Sequence, residues 1–338
     1  MKKNIFKNIK MISTKIIADE AIKRGIKVQH INDYQTEMAF VELSFGKHFE
    51  YILGSNISRT NVSGDYAVKN KALTKSLLIR KNISVAKGKL FCHKDREEID
   101  NFVDEIKYPI IIKPYNGAHG DLVSIVINNN KDCKEAVNLV LRKNNYVLVE
   151  KMFQGEEFRI IASREKVFAV AKKEAANVIG DGLSDIKELV KIKNRDARRG
   201  VGHDSPLTKI KIDSSVKQNL LEQKIDLNYI PQKDEKIYLR KNANLSTGGE
   251  SVDVTDQIHP ELKKIAVRAI CAIPGLAYGG IDLLTNKEIS EKPTKNSYII
   301  LEINSSPGLR MHHYPSIGKP RDVAKEIIDI LFPETIGE

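Results

Sequence analysis

An α/β (α+β) fold is predicted from three features of the chain. Apolar, β-branched runs of strand length alternate with segments whose apolar residues recur at helical spacing. No internal repeat or low-complexity tract interrupts that alternation. Two strands near the C-terminus carry polar residues inside apolar runs, as a sheet does when one face has chemical work.

The elements follow in order. "TKIIADEAIKRG" (14–25) sets Ile16, Ile17, Ala21 and Ile22 at helical spacing and stops at Gly25. Strands are expected at "KVQHI", "MAFVEL" and "FEYIL", and one helix over 64–82. Residues 108–128 read as strand, glycine-containing loop, strand, and 145–153 as a further strand. "EEFRIIAS" and "KVFAVAKKEAANVIGDG" add strands and a turn. "HPELKKIAVRAICAIPG" (259–275) is an amphipathic helix. After two strands with polar insertions, a last helix puts Val323, Ala324, Ile327, Ile328 and Leu331 on one side. These changes of pattern divide the chain into 1–66, 67–153 and 154–338.

Composition narrows the function. The 338 residues are 41% hydrophobic, enough for a substantial core, and no apolar run approaches membrane-span length. Lys7, Lys10 and Lys15 break every apolar run at the basic start, so no signal peptide is expected. Cys92, Cys133 and Cys271 are scattered and odd in number, which fits neither a disulfide framework nor a zinc cluster and points to a cytoplasmic protein. The formal charge of +11 is spread along the chain, aromatics are 6% and Trp is absent. That pattern argues against nucleic acid and for small anions.

Three stretches carry chemistry. In "YIILEINSSPGLRMHHYPSIGKPR", strict alternation would place Tyr298, Ile300, Glu302 and Asn304 on one face and Ile299, Leu301 and Ile303 on the other. In "GGIDLLT", Asp282 points away from Ile281 and Leu283. If the two strands pair, Asp282, Glu302 and Asn304 form a hard-oxygen set suited to magnesium, which binds through one or two carboxylates plus phosphate oxygens. An edge strand with a solvated face would account for any one of them alone. In "IIIKPYNGAHGDLVSI", Lys113 at a strand end before Gly117 and Gly120 fits a phosphate cradle, although it is neither a Walker nor a Rossmann pattern and a plain hairpin reads the same. In "VLVEKMFQGEEFRI", an apolar strand ends at Glu150, the linker Lys151, Met152 and Phe153 suits an adenine, and Glu157 a ribose. A hinge between two domains with ordinary surface charges reads equally well.

Taken in order, Lys75, Lys113, the hinge and the Asp–Glu–x–Asn strand pair resemble the ATP-grasp superfamily of carboxylate–amine ligases, from about residue 45 to the end. "FGKHFEYI", "DARRGVGHDSPLTKI", "LRKNANLSTGGESVDVTDQIHP" and "EINSSPGLRMHHYPSIGKPRDVA" are similar to the ATP-grasp half of cyanophycin synthetases. "AIKRGIKV", "ANVIGDG" and "STGGESVDVTD" are shared with the ATP-grasp half of bifunctional glutamate–cysteine ligase/glutathione synthetases.

The resemblance implies a nucleotide held between two α+β subdomains after a short α/β N-terminal segment. Lys75 and Lys113 would hold ATP phosphates under a loop of Gly117, His119 and Gly120. Glu150, Lys151, Met152 and Phe153 would frame adenine, Glu157 the ribose, and Lys173 would add charge beside the phosphates. Asp282, Glu302 and Asn304 would bind Mg2+, with Mn2+ able to replace it. "NANLSTGG" and "PGLRMH" would line the carboxylate and amine pockets, with Arg199, Arg240 and Arg310 as catalytic, anion-binding candidates. His119 and His203 are ligand contacts on this reading and ordinary isolated histidines otherwise.

The departures from the family concern the substrate. Asp121 and Leu122 stand in the glycine loop where family members carry Arg-x-Gly character. Lys172, Lys173, Glu174 and Ala175 replace a Glu-Arg-Val-Pro-type stretch, and Lys173 loses the bidentate fork of arginine. The chain lacks most of the family's N-terminal domain and stops at the ATP-grasp boundary, so both additions of a cyanophycin synthetase are not expected of it alone. The resemblance thus implies ATP-dependent joining of a carboxylate and an amine, on amino acids or short peptides, through an acyl phosphate. A glutathione-synthetase-like ligase, or a nucleotide-binding subunit working with a separate Mur-ligase-like partner, are the alternatives. A homodimer is the expected assembly.

Overall fold

The computed structural model describes residues 9, 11–31, 40–115, 125–202 and 205–337. Helix α1 (Ile12–Lys23) ends at Gly25, whose φ of 72° and amide bond to the Ile22 carbonyl (3.1 Å) close the last turn. Strands β1 (Lys27–His30), β2 (Phe40–Phe45), β3 (His48–Leu53) and β4 (Asn56–Ile57) follow as an antiparallel sheet in that order. The predicted helix over 64–82 is two helices, α2 (Val62–Lys69) and α3 (Lys71–Ile79). Asn70 separates them: its side chain accepts from the Leu73 amide, so one residue ends the first helix and caps the second.

The next unit runs β5 (Gly88–Cys92), α4 (Arg96–Ile106), β6 (Ile110–Pro114), β7 (Ile125–Ile127), α5 (Asn130–Leu141) and β8 (Tyr146–Lys151). Its strands form an antiparallel sheet ordered β5-β8-β6-β7 over a core that includes Phe91, Ile110, Ile112, Val137 and Val149.

The rest is built on a larger sheet. It comprises β9 (Glu156–Ser163), β10 (Val167–Glu174), the small pairs β11 (Asn177–Ile179) with β14 (Lys236–Tyr238) and β12 (Arg199–Gly200) with β13 (Leu207–Thr208), then β15 (Glu250–Asp253), β16 (Tyr278–Thr285) and β17 (Tyr298–Asn304). Helices α6 (Ile186–Asn194), α7 (Ser214–Glu222), α8 (Pro260–Ala272), α9 (Arg310–His313) and α10 (Val323–Leu331) complete it. The central sheet is antiparallel, ordered β15-β10-β9-β16-β17.

The faces of this sheet follow from period-2 alternation. Phe158, Ile160, Ala162, Val170, Ile281 and Leu283 pack with α8, α2 and α3. On the opposite face, Ile161, Ala169 and Tyr278 pack with β1–β4, α1 and α10, so the N-terminal segment shares a core with the central sheet. Further along that second face stand Glu157, Arg159, Lys173 and Asp282. The site is therefore the polar continuation of a face whose other end is buried.

One expectation is corrected here. Asp282 pairs with Glu302, but Leu283 pairs with Ile300, leaving Leu301 as a bulge. The extra residue inverts the alternation. Tyr298 and Ile300 lie in the α8 core beside Ile303 and do not share a face with Glu302 and Asn304. Among the described residues, no helix is long and apolar enough to cross a membrane.

Candidate active site

The polar face starts with register. Asp282 lies opposite Glu302 on one side and Arg159 on the other, and Asn304 lies opposite Gly280. The Arg159 guanidinium grips Asp282 with two bonds, Nε to Oδ1 at 2.6 Å and Nη2 to Oδ2 at 2.9 Å. Lys173 Nζ stands 3.9 Å from the same Oδ1 and hydrogen-bonds Glu157. Burial works to raise the Asp282 carboxyl, but Arg159 and Lys173 outweigh it and hold the group below the usual carboxylate range. The Glu302 carboxyl is within hydrogen-bonding reach of Asp282 and accepts from Asn304 Nδ2 at 3.3 Å. Lys71 Nζ lies 3.9 Å from Glu302 Oε2.

A second cluster joins α3 to the β5–β8 sheet. Glu150, at the end of β8, is buried and receives Lys75 on one oxygen and Lys113, at 2.5 Å, on the other. Glycine at position 88 permits this approach: a Cβ there would lie 2.7 Å from Glu150 Cγ and 3.2 Å from Lys75 Nζ. Burial opposes ionisation of Glu150, yet Lys113 and Lys75 keep its carboxyl below the usual range. For Lys75, burial is the largest influence and lowers the ammonium pKa; Glu150 opposes the shift and the like charge of Lys113 adds to it.

The hinge lies between the two clusters. The Lys151 amide donates to the Lys87 carbonyl (2.8 Å) and the Met152 amide to Pro109 (3.1 Å). The Phe153 amide has no backbone acceptor among the described residues. Lys151 Nζ is turned back onto the carbonyls of Lys107 and Tyr108, at 3.1 and 3.0 Å. Gly155 lets the hinge dock on the end of β16, since a Cβ there would stand 2.5 Å from the Thr285 carbonyl oxygen. A cleft of about 500 Å³ opens beside Lys151, Met152 and Phe153, walled by Val85, Tyr298 and Ile299.

Residues 69–179 match the ATP-grasp (A) domain of phosphoribosylglycinamide synthetase, and residues 230–331 a RimK-like ATP-grasp domain. A crystal structure of a bifunctional glutathione synthetase from Pasteurella multocida superposes with a TM-score of 0.76 at 30% identity, over 97% of this chain and 45% of that one. The chain carries an ATP-grasp fold. It is 36% identical to the glutathione biosynthesis bifunctional protein GshAB of Clostridium perfringens over 95% of its length, covering 41% of that protein. It is 38% identical to the cyanophycin synthetase of Crocosphaera subtropica, again over 95% of the chain and covering 36% of the relative. The chain thus spans well under half the length of these relatives.

Within this ATP-grasp fold, most of the sequence-derived candidates converge. Lys75, Lys113 and Glu150 form one cluster, Glu157, Lys173, Asp282, Glu302 and Asn304 the other, and Lys151, Met152 and Phe153 the join. Glu150 turns its carboxylate onto the two lysines. The three arginines differ from one another. Arg199 is neutralised by Glu250 at 2.7 Å and Arg240 by Asp213 at 2.5 Å, each with a buried Nε that has no acceptor among the described residues. Arg310, also buried, donates to the carbonyls of Gly202 and Ser205 and to the Thr208 hydroxyl, each at 3.1 Å, and has no carboxylate partner among the described residues. Gly117, His119, Gly120, Asp121, Leu122 and His203 lie outside the described residues.

Two functional groups escaped the sequence reading. Arg159 had a legible signal: it follows Glu157 by two positions in a strand, so the two must share a face. Lys71 had only its place four residues before Lys75 on a helix.

The donor set fits magnesium. Two carboxylates, Asp282 and Glu302, meet at paired strand positions with the Asn304 amide two residues along the strand, and their negative charge is balanced by Arg159, Lys173 and Lys71. Among the described residues no group of three or more His, Cys, Asp or Glu is placed to hold a metal. A pair of carboxylates that relies on phosphate oxygens to complete the shell matches the habit of magnesium.

Proposed function

We propose that this chain is an ATP- and magnesium-dependent ligase that joins a carboxylate to an amine through an acyl phosphate, on amino acids or short peptides. The observation that carries this reading is the facing of two clusters across one hinge. A lysine pair on Glu150 suits a polyphosphate, and the Asp282–Glu302–Asn304 set suits a divalent cation.

In this reading the Phe153 amide and the Lys151–Met152 backbone take the adenine edge, and Glu157 takes ribose hydroxyls. Lys75 and Lys113 leave Glu150 for the β- and γ-phosphate oxygens. Asp282, Glu302 and Asn304 would hold magnesium, which supplies positive charge to the transferring phosphoryl group. Arg159 keeps the Asp282 carboxylate oriented and ionised. A substrate carboxylate oxygen attacks the γ-phosphorus and ADP leaves, with Lys113 and Lys173 balancing the developing charge. The amine then attacks the acyl carbon, the acyl C–O bond breaks, inorganic phosphate departs and the nitrogen releases its proton. Arg310, which has no carboxylate partner among the described residues, offers a bidentate seat to a substrate carboxylate.

The test is a screen of amino acids and dipeptides for substrate-dependent ADP release, with hydroxylamine added as a trap. A hydroxamate formed only with ATP and the correct carboxylate supports the acyl phosphate. A stable phosphorylated product without any amine, and no hydroxamate, would instead make the protein a small-molecule kinase. A second reading within the same chemistry, addition of glycine to a γ-glutamyl dipeptide, is favoured by the similarity to GshAB and is one arm of the same screen.

A further inference from the structure

Lys71 touches both of the charged clusters and the strand end beside them. It is the first residue of α3, directly after the Asn70 cap. Its backbone amide donates to the carbonyl of Tyr115 (3.0 Å), the residue that follows β6 and leads into the glycine-containing segment. Its side chain reaches the other way, to 3.9 Å from Glu302 Oε2 on β17. The ammonium also lies in the field of Lys113 and Glu150. Burial, the largest influence, and the like charge of Lys113 make it a less comfortable cation than an exposed lysine, while Glu302 and Glu150 hold it charged. Lys71 thus sits where the polyphosphate cluster and the metal cluster meet.

We propose that Lys71 competes with the metal for Glu302 and that the nucleotide polyphosphate decides the competition, so that metal and nucleotide bind cooperatively. This rests on the assignment of Asp282, Glu302 and Asn304 to the metal. Among the described residues, Lys71, Lys75 and Lys113 together face two carboxylates, Glu150 and Glu302. A polyphosphate entering beside Lys75 and Lys113 is the stronger anion and draws Lys71 away from Glu302. The carboxylate is then free for the divalent ion that the same polyphosphate brings. Without the polyphosphate, an incoming ion must displace an ammonium from Glu302, and Asp282 is already engaged by Arg159. Lys71 is a positioning residue on this account. It is the counter-ion that couples two binding events.

The test is a binding cycle with Mn2+ as the probe, read by the electron paramagnetic resonance signal of the free ion, and with a non-hydrolysable ATP analogue. In nucleotide-free Lys71→Gln, Mn2+ should bind about two- to fivefold more tightly than in wild type, as expected for loss of a partly exposed competing ion pair. The analogue should bind more weakly, and the mutual enhancement between metal and analogue should shrink. Lys71→Arg, which keeps the charge, should follow wild type in all three readings. A lysine acting only through its general charge would tighten Mn2+ binding equally in the Glu302→Gln background, whereas a competitor for Glu302 would not. Unchanged, weakened or undetectable Mn2+ binding in folded Lys71→Gln would overturn the proposal. Failure of the metal assignment reads out separately: Glu302→Gln would then leave Mn2+ binding in the presence of the analogue unchanged.

Discussion

Replacing Glu150 with glutamine removes one negative charge from the centre of the lysine cluster and keeps the shape. Both lysines then remain in a buried site, with side chains 9% and 10% exposed, facing a neutral amide. Deleting one partner of a buried charge cluster costs about 3–5 kcal/mol, because the cations left behind have lost their counter-charge and cannot recover water. The loss should appear in urea unfolding at pH 7. Its pH dependence identifies the cause. Glu150 has a folded-state pKa below its unfolded value, so its contribution is complete above the unfolded value of about 4.3 and disappears as pH falls through the folded value. Wild type and Glu150→Gln should therefore converge in strongly acidic buffer, where the wild-type side chain is itself neutral. ATP should also raise the melting temperature of Glu150→Gln by more than that of wild type, since its phosphates replace the missing anion. A destabilisation under about 1 kcal/mol at pH 7, well short of the range for a buried cluster, would refute the reasoning. So would a difference that persists unchanged into acid.

The two carboxylates proposed to hold the metal should behave differently. Glu302, about one-third exposed, can become Gln with the fold intact while ADP formation falls by about a hundredfold or more. Asp282→Asn should lose the same activity and also about 3 kcal/mol of stability, because it strands the buried Arg159; equal stability of the two variants in urea would contradict that pairing. His48 bonds Glu334 through Nδ1 at 2.6 Å and Glu50 through Nε2 at 3.1 Å, which raises its pKa. The stability it contributes is complete below the unfolded value of about 6.5 and is lost as pH rises through the folded value. The melting-temperature gap between wild type and Glu334→Gln should thus narrow from pH 6 to pH 9, and a constant gap would show that the imidazolium is not involved.

What the sequence determined by itself is what local periodicity encodes. Alternation places Asp282 opposite in direction to Ile281 and Leu283, and the structure puts those two in the α8 core. Helical spacing assigns the buried side of α10, and Gly25 stops α1 where a left-handed residue is needed. The order of Lys75, Lys113, hinge and paired polar strands made the ATP-grasp fold readable. Tertiary structure alone decided how these pieces meet. The bulge at Leu301 is a mismatch between two strands, so neither strand contains it, and it moves Tyr298 and Ile300 off the face that alternation gave them. Glu150 as seat for Lys75 and Lys113, Arg159 as clamp on Asp282 and Lys71 beside Glu302 join residues far apart in the chain. Such pairs leave no local pattern, because a charge in isolation looks like any solvated surface charge. Only the closing of the loops between them, driven by burial of the apolar faces, brings them within a few ångströms and removes the water that would otherwise screen them.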